Sequence, residues 1–277
     1  MREQYSPVGV FDSGMGGISV LREITKYMPQ EDIIYVGDSA NAPYGTKDVS
    51  VVRDLTIGHI RNLVECHRAK AIAVACNTAT SAAVADLRVM YPDLPLVGVE
   101  PAIKPAVLAG DHGRILVMAT PRTLAEPKFR NLQHQYEDLA EIYPLPCPGL
   151  MEYVERGILK GPELEDFLRR LLEPYLDRNL TGIVLGCTHY PFLRDSISGI
   201  VGEEVGIFDG GEGTAKELNR RLSEAGLKET DPDRRGSLTF YNTSGNKELL
   251  ELSRFLFTHN NPDASMWTIR FGDRKDL

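Results

Sequence analysis

The chain has 277 residues, of which 42% are hydrophobic and 25% are charged, a composition typical of a globular protein. Its length suits two domains of ordinary size or one large domain. The net charge of −8 and the absence of a basic stretch argue against nucleic acid as the main partner.

The apolar segments and the cysteines bear on the cellular compartment. No apolar run approaches the length that spans a bilayer, and residues 1–6 lack the apolar core of a signal peptide. Four cysteines in a chain this long do not form a disulfide framework. We therefore expect a cytoplasmic protein without a membrane partner, whose cysteines are either buried hydrophobes or working thiols.

Short apolar runs alternate with segments of helical spacing along most of the chain. The predicted strands are 7–11, 32–37, 71–75, 96–99, 114–118, 141–143, 182–185, 205–208 and 237–243. The predicted helices are 18–28, 49–68, 78–90, 125–136, 161–175, 213–225 and 247–257. This alternation predicts an α/β fold with parallel sheets flanked by helices, in which ligands bind at the carboxyl ends of the strands.

Two pairs of similar segments indicate an internal duplication. Ala-Cys-Asn-Thr at 75–78 resembles Gly-Cys-Thr-His at 186–189, and each follows a short apolar run. A second, weaker similarity relates the glycine-rich segments 8–17 and 205–214. The order of the units predicts two similar lobes, one formed by residues 1–97 and 209–277 and the other by residues 98–208. The segment 237–271 is assigned to the first lobe.

Cys76 and Cys187 are the main candidates for chemistry. Each is predicted where a strand ends and a helix begins, and a helix N-terminus favours the thiolate form of a cysteine. Two opposed thiols could remove a proton from one face of a carbon atom and return it to the other, which is racemase chemistry. The alternative is that both are small buried hydrophobes. Cys66 and Cys147 lack these surroundings and are interpreted as structural.

The residues that follow the two thiols are polar. Asn77, Thr78 and Thr188 could form an anion-binding cradle with the helix N–H groups, or simply cap the helices. His189 could orient Cys187 or relay protons to it, or could be a structural histidine.

Asp12 and Ser13 lie at the carboxyl end of the first predicted strand. Asp12 could cap the following turn, hold a substrate ammonium group or assist Cys76. The loop 12–17 lacks the Gly-Lys-Ser/Thr of a phosphate loop, and Ser19 stands where a dinucleotide fingerprint has its third glycine. We therefore expect no nucleotide cofactor.

Metal and pyridoxal sites are also not expected. Cys76, Cys187 and His189 are soft ligands, but structural zinc sites usually contain closely spaced cysteine pairs. No lysine stands out as a pyridoxal site. Two other classes of function stay open on these residues: a hydrolase with Cys187 as nucleophile and His189 as base, and a non-catalytic protein that binds a small amino acid.

Four segments together resemble the motifs of the bacterial glutamate racemases, within the aspartate/glutamate racemase family. They are Asp-Ser-Gly-Met-Gly-Gly at 12–17, Pro-Tyr-Gly at 43–45, Ala-Cys-Asn-Thr-Ala-Thr at 75–80 and Leu-Gly-Cys-Thr-His-Tyr-Pro at 185–191. They occur in the family's order, and the resemblance runs from about residue 7 to 225. It implies a cofactor-independent enzyme that interconverts L- and D-glutamate for peptidoglycan, with its active site in the cleft between two lobes.

The resemblance also implies roles for individual residues. Cys76 would be the base for D-glutamate and Cys187 the base for L-glutamate, with Asp12 and His189 assisting the neighbouring thiols. The substrate contacts it implies are Asp12, Ser13, Tyr44, Gly45, Asn77, Thr78, Thr120, Glu155, Thr188 and His189.

The resemblance bears on the substrate and on the assembly as well. Related aspartate racemases usually have glutamate where this chain has His189, which favours glutamate over aspartate as the substrate. A homodimer is a candidate state by the same resemblance, and the chain from about Asp231 onward carries no recognised motif.

Overall fold

The computed structural model describes residues 5–110, 112–273 and 275. Residues 1–4, to which much of the signal-peptide argument refers, lie outside the described residues. The chain divides into two compact units, Met1–Val99 with Gly211–Leu277 and Glu100–Gly210. These boundaries lie two residues beyond the ones proposed from the sequence. No helix in the described part of the chain combines the length and the apolar character needed to cross a membrane.

The strands and helices alternate along both units. The strands are β1 (Val8–Asp12), β2 (Ile33–Gly37), β3 (Ala71–Val74), β4 (Leu96–Gly98), β5 (Arg114–Ala119), β6 (Glu141–Pro146), β7 (Gly182–Leu185), β8 (Gly206–Asp209), β9 (Ser237–Asn242) and β10 (Thr268–Phe271). The helices are α1 (Ile18–Tyr27), α2 (Val49–Glu65), α3 (Asn77–Met90), α4 (Ile103–Leu108), α5 (Pro121–Ala125), α6 (Pro127–Tyr136), α7 (Leu150–Glu155), α8 (Pro162–Leu176), α9 (Arg194–Val201), α10 (Gly211–Glu224) and α11 (Lys247–Thr258). Three-residue to five-residue 3-10 helices cover Tyr44–Thr46, Tyr190–Leu193 and Pro262–Met266.

The predicted α/β class is confirmed, and the elements that sequence reasoning missed are short. Strand β10 has 4 residues, and helices α4, α5, α7 and α9 have between 5 and 8. A helix of this length completes about two turns at most, so a period of 3.6 residues is hardly visible in its sequence.

Each unit contains one sheet in which every strand pair is parallel. The first sheet has the order β10-β9-β2-β1-β3-β4, and the second has the order β6-β5-β7-β8. The order β2-β1-β3-β4 is therefore repeated as β6-β5-β7-β8. Strands β1, β3 and β7 are buried along their whole length, as expected for parallel strands that are covered on both faces.

The repeated strand order supports an internal duplication for one of the two pairs of similar segments and contradicts it for the other. Cys76 follows β3 and Cys187 follows β7, which occupy equivalent places in the two sheets. Segment 8–17 begins with β1, which lies inside the first sheet. Segment 205–214 begins with β8, which lies at the edge of the second sheet. Their likeness reflects the glycine-rich turn that often follows a strand in this class of fold, and not the duplication.

The C-terminal segment completes the first sheet. Strand β9 pairs with β2, with Ile34 opposite Thr239 and Gly37 opposite Asn242. At the start of β9, the N–H and the hydroxyl of Ser237 donate to the carboxylate of Asp32 at 2.8 and 2.7 Å. The segment is thus built into the first unit by a full strand pairing.

A buried ion pair lies at the amino ends of the strands in the same unit. Nζ of Lys70, which directly precedes β3, is 2.6 Å from Oε2 of Glu31, and neither side chain is more than 1% exposed. The other oxygen of Glu31 accepts the N–H of Glu229 at 2.8 Å. A buried charge is costly unless it is paired and hydrogen-bonded, so these contacts stabilise one another.

Candidate active site

In the first unit, Cys76 caps helix α3 and lies at the carboxyl end of β3. Its Sγ atom accepts the N–H of Ala79 at 3.4 Å, and the hydroxyl of Ser13 lies 3.4 Å from the same sulfur. The N–H of Ala75 donates to the carbonyl of Phe11 at 2.7 Å, which holds the ends of β3 and β1 together. The predicted helix N-terminus is present here, and it favours a thiolate at Cys76.

Asp12 and the glycine loop pack against Ala75, the residue before Cys76. Oδ1 of Asp12, a fully buried residue, accepts the N–H of Gly14 at 2.8 Å, so Asp12 does cap the turn that follows it. A Cβ atom at Gly17 would lie 2.6 Å from Cβ of Asp12 and 2.9 Å from Cβ of Ala75. Gly17 is therefore required for the close approach of the backbone to these two residues.

Tyr44 opens the 3-10 turn of the predicted Pro-Tyr-Gly motif. Its hydroxyl donates to Oδ2 of Asp38 at 2.6 Å, and its ring is buried. Burial raises the pKa of Tyr44 strongly, and the negative charges of Asp38, Cys76 and Asp12 raise it further. Tyr44 is thus a neutral hydrogen-bonding group close to Cys76, and Gly45 is half-buried beside it.

Asn77 and Thr78 form the first residues of α3, directly after the thiol. The backbone N–H groups at the start of a helix have no partner within the helix. Oδ1 of Asn77 is buried and has no hydrogen-bond partner among the described residues. The start of α3 therefore offers N–H donors and a buried amide oxygen to a small polar ligand.

In the second unit, Cys187 occupies the equivalent position but has a different environment. The N–H of Gly186 donates to Met118 at the end of β5 at 2.7 Å, as Ala75 does to Phe11. The prediction that an α-helix begins at Cys187 is wrong, because the chain forms the 3-10 helix Tyr190–Leu193 before α9. Pro191 has no N–H to donate to the carbonyl of Cys187, and Tyr190 donates to it instead at 3.0 Å.

His189 provides Cys187 with its polar partner. Its Nδ1 atom lies 3.6 Å from Sγ of Cys187, and its Nε2 atom lies 2.6 Å from Oε1 of Glu155. Burial lowers the pKa of His189, but the hydrogen bonds and charges of Cys187 and Glu155 outweigh it and raise the pKa well above the usual value. In the protonated form both ring nitrogens are donors, one toward the thiol and one toward the carboxylate.

The remaining predicted contacts of the second unit surround the same strand ends. Glu155, the last residue of α7, has His189 as a hydrogen-bond partner, so it is linked to Cys187 through the imidazole. Thr120 follows β5 and caps α5 by accepting the N–H of Thr123 at 3.2 Å. Thr188 is buried between Cys187 and His189.

Sequence reasoning missed Asp38, which is fully buried at the carboxyl end of β2. Burial would raise the pKa of its carboxyl, but hydrogen bonds from His59, Thr243 and Tyr44 lower it to about 2. A signal was present in the sequence, because Asp38 follows an apolar strand just as Asp12 ends one.

Cys147 is the counterpart of Asp38 in the second unit. Its N–H donates to Ala119 at 3.0 Å, as that of Asp38 donates to Asp12 at 2.9 Å. Burial and the proximity of Cys187 raise the pKa of the Cys147 thiol, which donates to the carbonyl of Leu145 at 3.3 Å. Cys147 is therefore a neutral buried thiol.

Comparison with known proteins identifies relatives of this chain in sequence and in fold. The family model for Asp/Glu/Hydantoin racemase matches residues 9–218, a range that contains both thiols. A glutamate racemase of Clostridium perfringens is 50% identical over 251 residues, which cover 91% of this chain and 96% of the relative. The crystal structure of the Francisella tularensis glutamate racemase in complex with D-glutamate has a TM-score of 0.80 and 27% identity, covering 99% of this chain and 100% of that one. The Escherichia coli enzyme in complex with L-glutamate and an activator has a TM-score of 0.79 and 27% identity, covering 96% of this chain and 97% of that one.

The chain belongs to the Asp/Glu/Hydantoin racemase family, and within that family to the glutamate racemases. It is accordingly an isomerase.

Proposed function

We propose that this chain interconverts L- and D-glutamate without a cofactor, with Cys76 and Cys187 as the two acid/base residues, and so supplies D-glutamate for peptidoglycan. The observation that carries the proposal is that the two thiols follow equivalent strands of two sheets with the same strand order. Related enzymes have been solved with D-glutamate and with L-glutamate bound. We propose a cytoplasmic location and no nucleic-acid or membrane partner for this activity.

The reaction needs one thiolate and one thiol. The thiolate takes the α-proton, so that an S–H bond forms while the C–H bond breaks, and the electron pair is delocalised into the α-carboxylate. The thiol of the other cysteine then donates its proton to the opposite face of the carbon. The two cysteines therefore exchange protonation states in each turnover.

The two thiols are activated by different groups. The start of α3 and the hydroxyl of Ser13 support a thiolate at Cys76, the proposed base for D-glutamate. Protonated His189, held by Glu155, supports a thiolate at Cys187, the proposed base for L-glutamate. Asp12 acts on the Cys76 side, where it shapes the loop that carries Ser13.

The carbanion needs electrostatic stabilisation, because the α-proton of an amino acid is only weakly acidic. The N–H groups of Asn77 and Thr78 are donors for a substrate carboxylate, each worth roughly 2.7–4 kcal/mol by analogy with oxyanion-hole donors. The buried oxygen of Asn77 is an acceptor for the substrate ammonium group. The other proposed substrate contacts are Asp12, Ser13, Tyr44, Gly45, Thr120, Glu155, Thr188 and His189.

Circular dichroism tests the activity directly. Purified protein with reduced thiols is mixed with D-glutamate in EDTA, without pyridoxal phosphate or nucleotide. We expect the signal to decay to zero, because a racemase brings the enantiomers to equal concentrations. D-aspartate serves as the parallel substrate, and decay with D-aspartate alone would transfer the assignment to the aspartate racemases. No decay with either substrate would contradict the proposal.

Single substitutions test the two roles. Cys76→Ser and Cys187→Ser should each abolish racemisation. In D2O, Cys187→Ser should still exchange the α-proton of D-glutamate, and Cys76→Ser that of L-glutamate. Cys66→Ser is the matched control, since Cys66 is exposed, and it should retain full activity. Racemisation by either of the first two variants would contradict the two-base mechanism.

A further inference from the structure

We propose that Thr243, in the C-terminal segment, is a positioning residue that acts through Asp38 to hold Tyr44 at the Cys76 site. This inference rests on the proposed racemisation of glutamate, in which Tyr44 is a substrate contact. It gives a role in the reaction to a segment for which the sequence offers no motif.

The proposal begins with the hydrogen bonds of one buried carboxylate. The hydroxyl of Thr243 donates to Oδ1 of Asp38 at 2.6 Å, and the hydroxyl of Tyr44 donates to Oδ2 at 2.6 Å. Nδ2 of Asn41 lies 3.1 Å from each oxygen, and Nε2 of His59 lies 3.2 Å from Oδ2. Each carboxylate oxygen therefore accepts one short hydrogen bond from a hydroxyl group. The two hydroxyl groups together fix the plane of the carboxylate.

Thr243 is held at this point by the strand pairing of its segment. Gly37 at the end of β2 faces Asn242 at the end of β9, and the N–H of Thr243 donates to the carbonyl of Gly37 at 3.1 Å. The hydroxyl of Thr243 also accepts the N–H of Ala40 at 3.0 Å. The hydroxyl thus acts as acceptor and donor at once, which a valine of the same shape cannot do.

Loss of the Thr243 hydroxyl should change the position of Tyr44, because Asp38, which accepts hydrogen bonds from both residues, is fully buried. A buried carboxylate that loses one short hydrogen bond will turn toward its remaining donors. The geometry of the hydrogen bond from Tyr44 depends on the orientation of this carboxylate. Tyr44 and Cys76 belong to the same cluster of packed, buried residues. A displaced Tyr44 would therefore weaken substrate binding beside Cys76.

Three variants separate this role from a general effect on folding. Thr243→Val removes the hydroxyl, and Thr243→Ser keeps it. Thr239→Val makes the same change at a half-buried position of β9 that takes no part in the hydrogen bonds of Asp38 described above. We expect Thr243→Val to raise KM for glutamate about tenfold, which corresponds to about 1.4 kcal/mol, the lower range for a hydrogen bond to a charged group. Thr243→Ser and Thr239→Val should keep the wild-type KM.

The split between KM and kcat separates a positioning role from a structural one. Because enantiomers have equal free energies in water, any variant must change kcat/KM by the same factor for L- and D-glutamate, so a positioning role is recognised by a raised KM. A purely structural role would instead lower the melting temperature and the active fraction, which reduces kcat and leaves KM unchanged. That result, or a wild-type KM in a folded Thr243→Val, would overturn the inference.

A double-mutant cycle with Tyr44→Phe tests the route through Asp38. If Thr243 acts by holding Tyr44, Thr243→Val should change KM little once the Tyr44 hydroxyl is gone. Equal effects in both backgrounds would overturn the inference. If Thr243→Val does not fold, Asp38→Ala replaces it, because alanine can accept neither hydroxyl hydrogen bond, and an unchanged KM in that variant has the same meaning.

The wild-type assay distinguishes failure of the inference from failure of the proposed function. Wild-type protein that neither racemises glutamate nor binds it by calorimetry would contradict the proposed function and the inference with it. Active wild-type protein with an unaffected Thr243→Val would contradict the inference alone.

Discussion

Nε2 of His189 lies 2.6 Å from Oε1 of Glu155, and this contact ties the loop after β7 to the end of α7. The other ring nitrogen of His189 faces the sulfur of Cys187. The orientation and the charge of the imidazole therefore depend on a carboxylate 34 residues earlier in the chain. Glu155 is thus linked to Cys187 through the imidazole of His189.

Glu155→Gln should lower the pKa of His189, because it removes one of the charges that raise it. The alkaline limb of kcat/KM should then move to lower pH, since His189 loses its proton earlier. Glu152→Gln, on the same helix and exposed, is the control and should leave the profile in place. An unshifted profile for Glu155→Gln would show that the carboxylate does not control His189.

The same pair should make stability depend on pH. A histidine whose pKa is raised by folding contributes stability that is complete below its unfolded value of about 6.5 and is lost as pH rises through the folded pKa. The melting temperature of the wild type should therefore exceed that of Glu155→Gln most near pH 6, and the difference should shrink at higher pH. Thermal unfolding of both proteins from pH 6 to 10 measures this difference in melting temperature. A difference that grows with pH would contradict the expected direction of the dependence.

Gly17→Ala should impair the Cys76 site. The added methyl group would lie 2.6 Å from Cβ of Asp12 and 2.9 Å from that of Ala75, so both residues must shift. We expect a loss of stability of about 1–3 kcal/mol from overpacking and a fall in kcat/KM. Gly58→Ala is the matched control, because a Cβ atom there meets nothing within 4 Å. Wild-type kinetics for Gly17→Ala would show that the loop accommodates the methyl group.

Lys70→Met should destabilise the first unit without changing the KM of the folded enzyme. It leaves Glu31 buried without its partner, which costs about 3–5 kcal/mol in the free energy of unfolding. Lys26→Met breaks the exposed pair with Glu23 and should cost about 1 kcal/mol or less. Urea unfolding of both variants measures the difference, and equal costs would mean that the Lys70 pair is as solvated as the surface pair.

Asp38→Asn should change the acid stability. The pKa of Asp38 is lowered from 3.8 to about 2, so the pairing contributes stability above pH 4 that is lost as pH falls toward 2. The stability gap between wild type and Asp38→Asn should narrow by roughly 2 kcal/mol over that range, at 1.36 kcal/mol per pKa unit. Urea unfolding at a series of pH values measures it, and a constant gap would contradict the ionic role of Asp38.

Much of the fold could be read from local sequence, because buried parallel strands are short apolar runs bounded by turn residues. All nine strands predicted from such runs are present, and Cys76 and Cys187 were recognised because each follows one of them. The prediction that segments 8–17 and 205–214 are duplicated copies was wrong for the same reason. A glycine-rich turn follows many strands, whatever their place in the sheet.

The class of fold, the two thiols and the family follow from local patterns and contiguous motifs, which the amino-acid sequence contains directly. The partners of the site residues follow instead from how distant segments pack together. The bond between Thr243 and Asp38 spans 205 residues and depends on the pairing of β9 with β2. The 3-10 turn after Cys187 depends on which N–H group can reach its carbonyl beside Pro191. Such contacts follow from strand register and side-chain rotamers, which no periodicity in the sequence encodes.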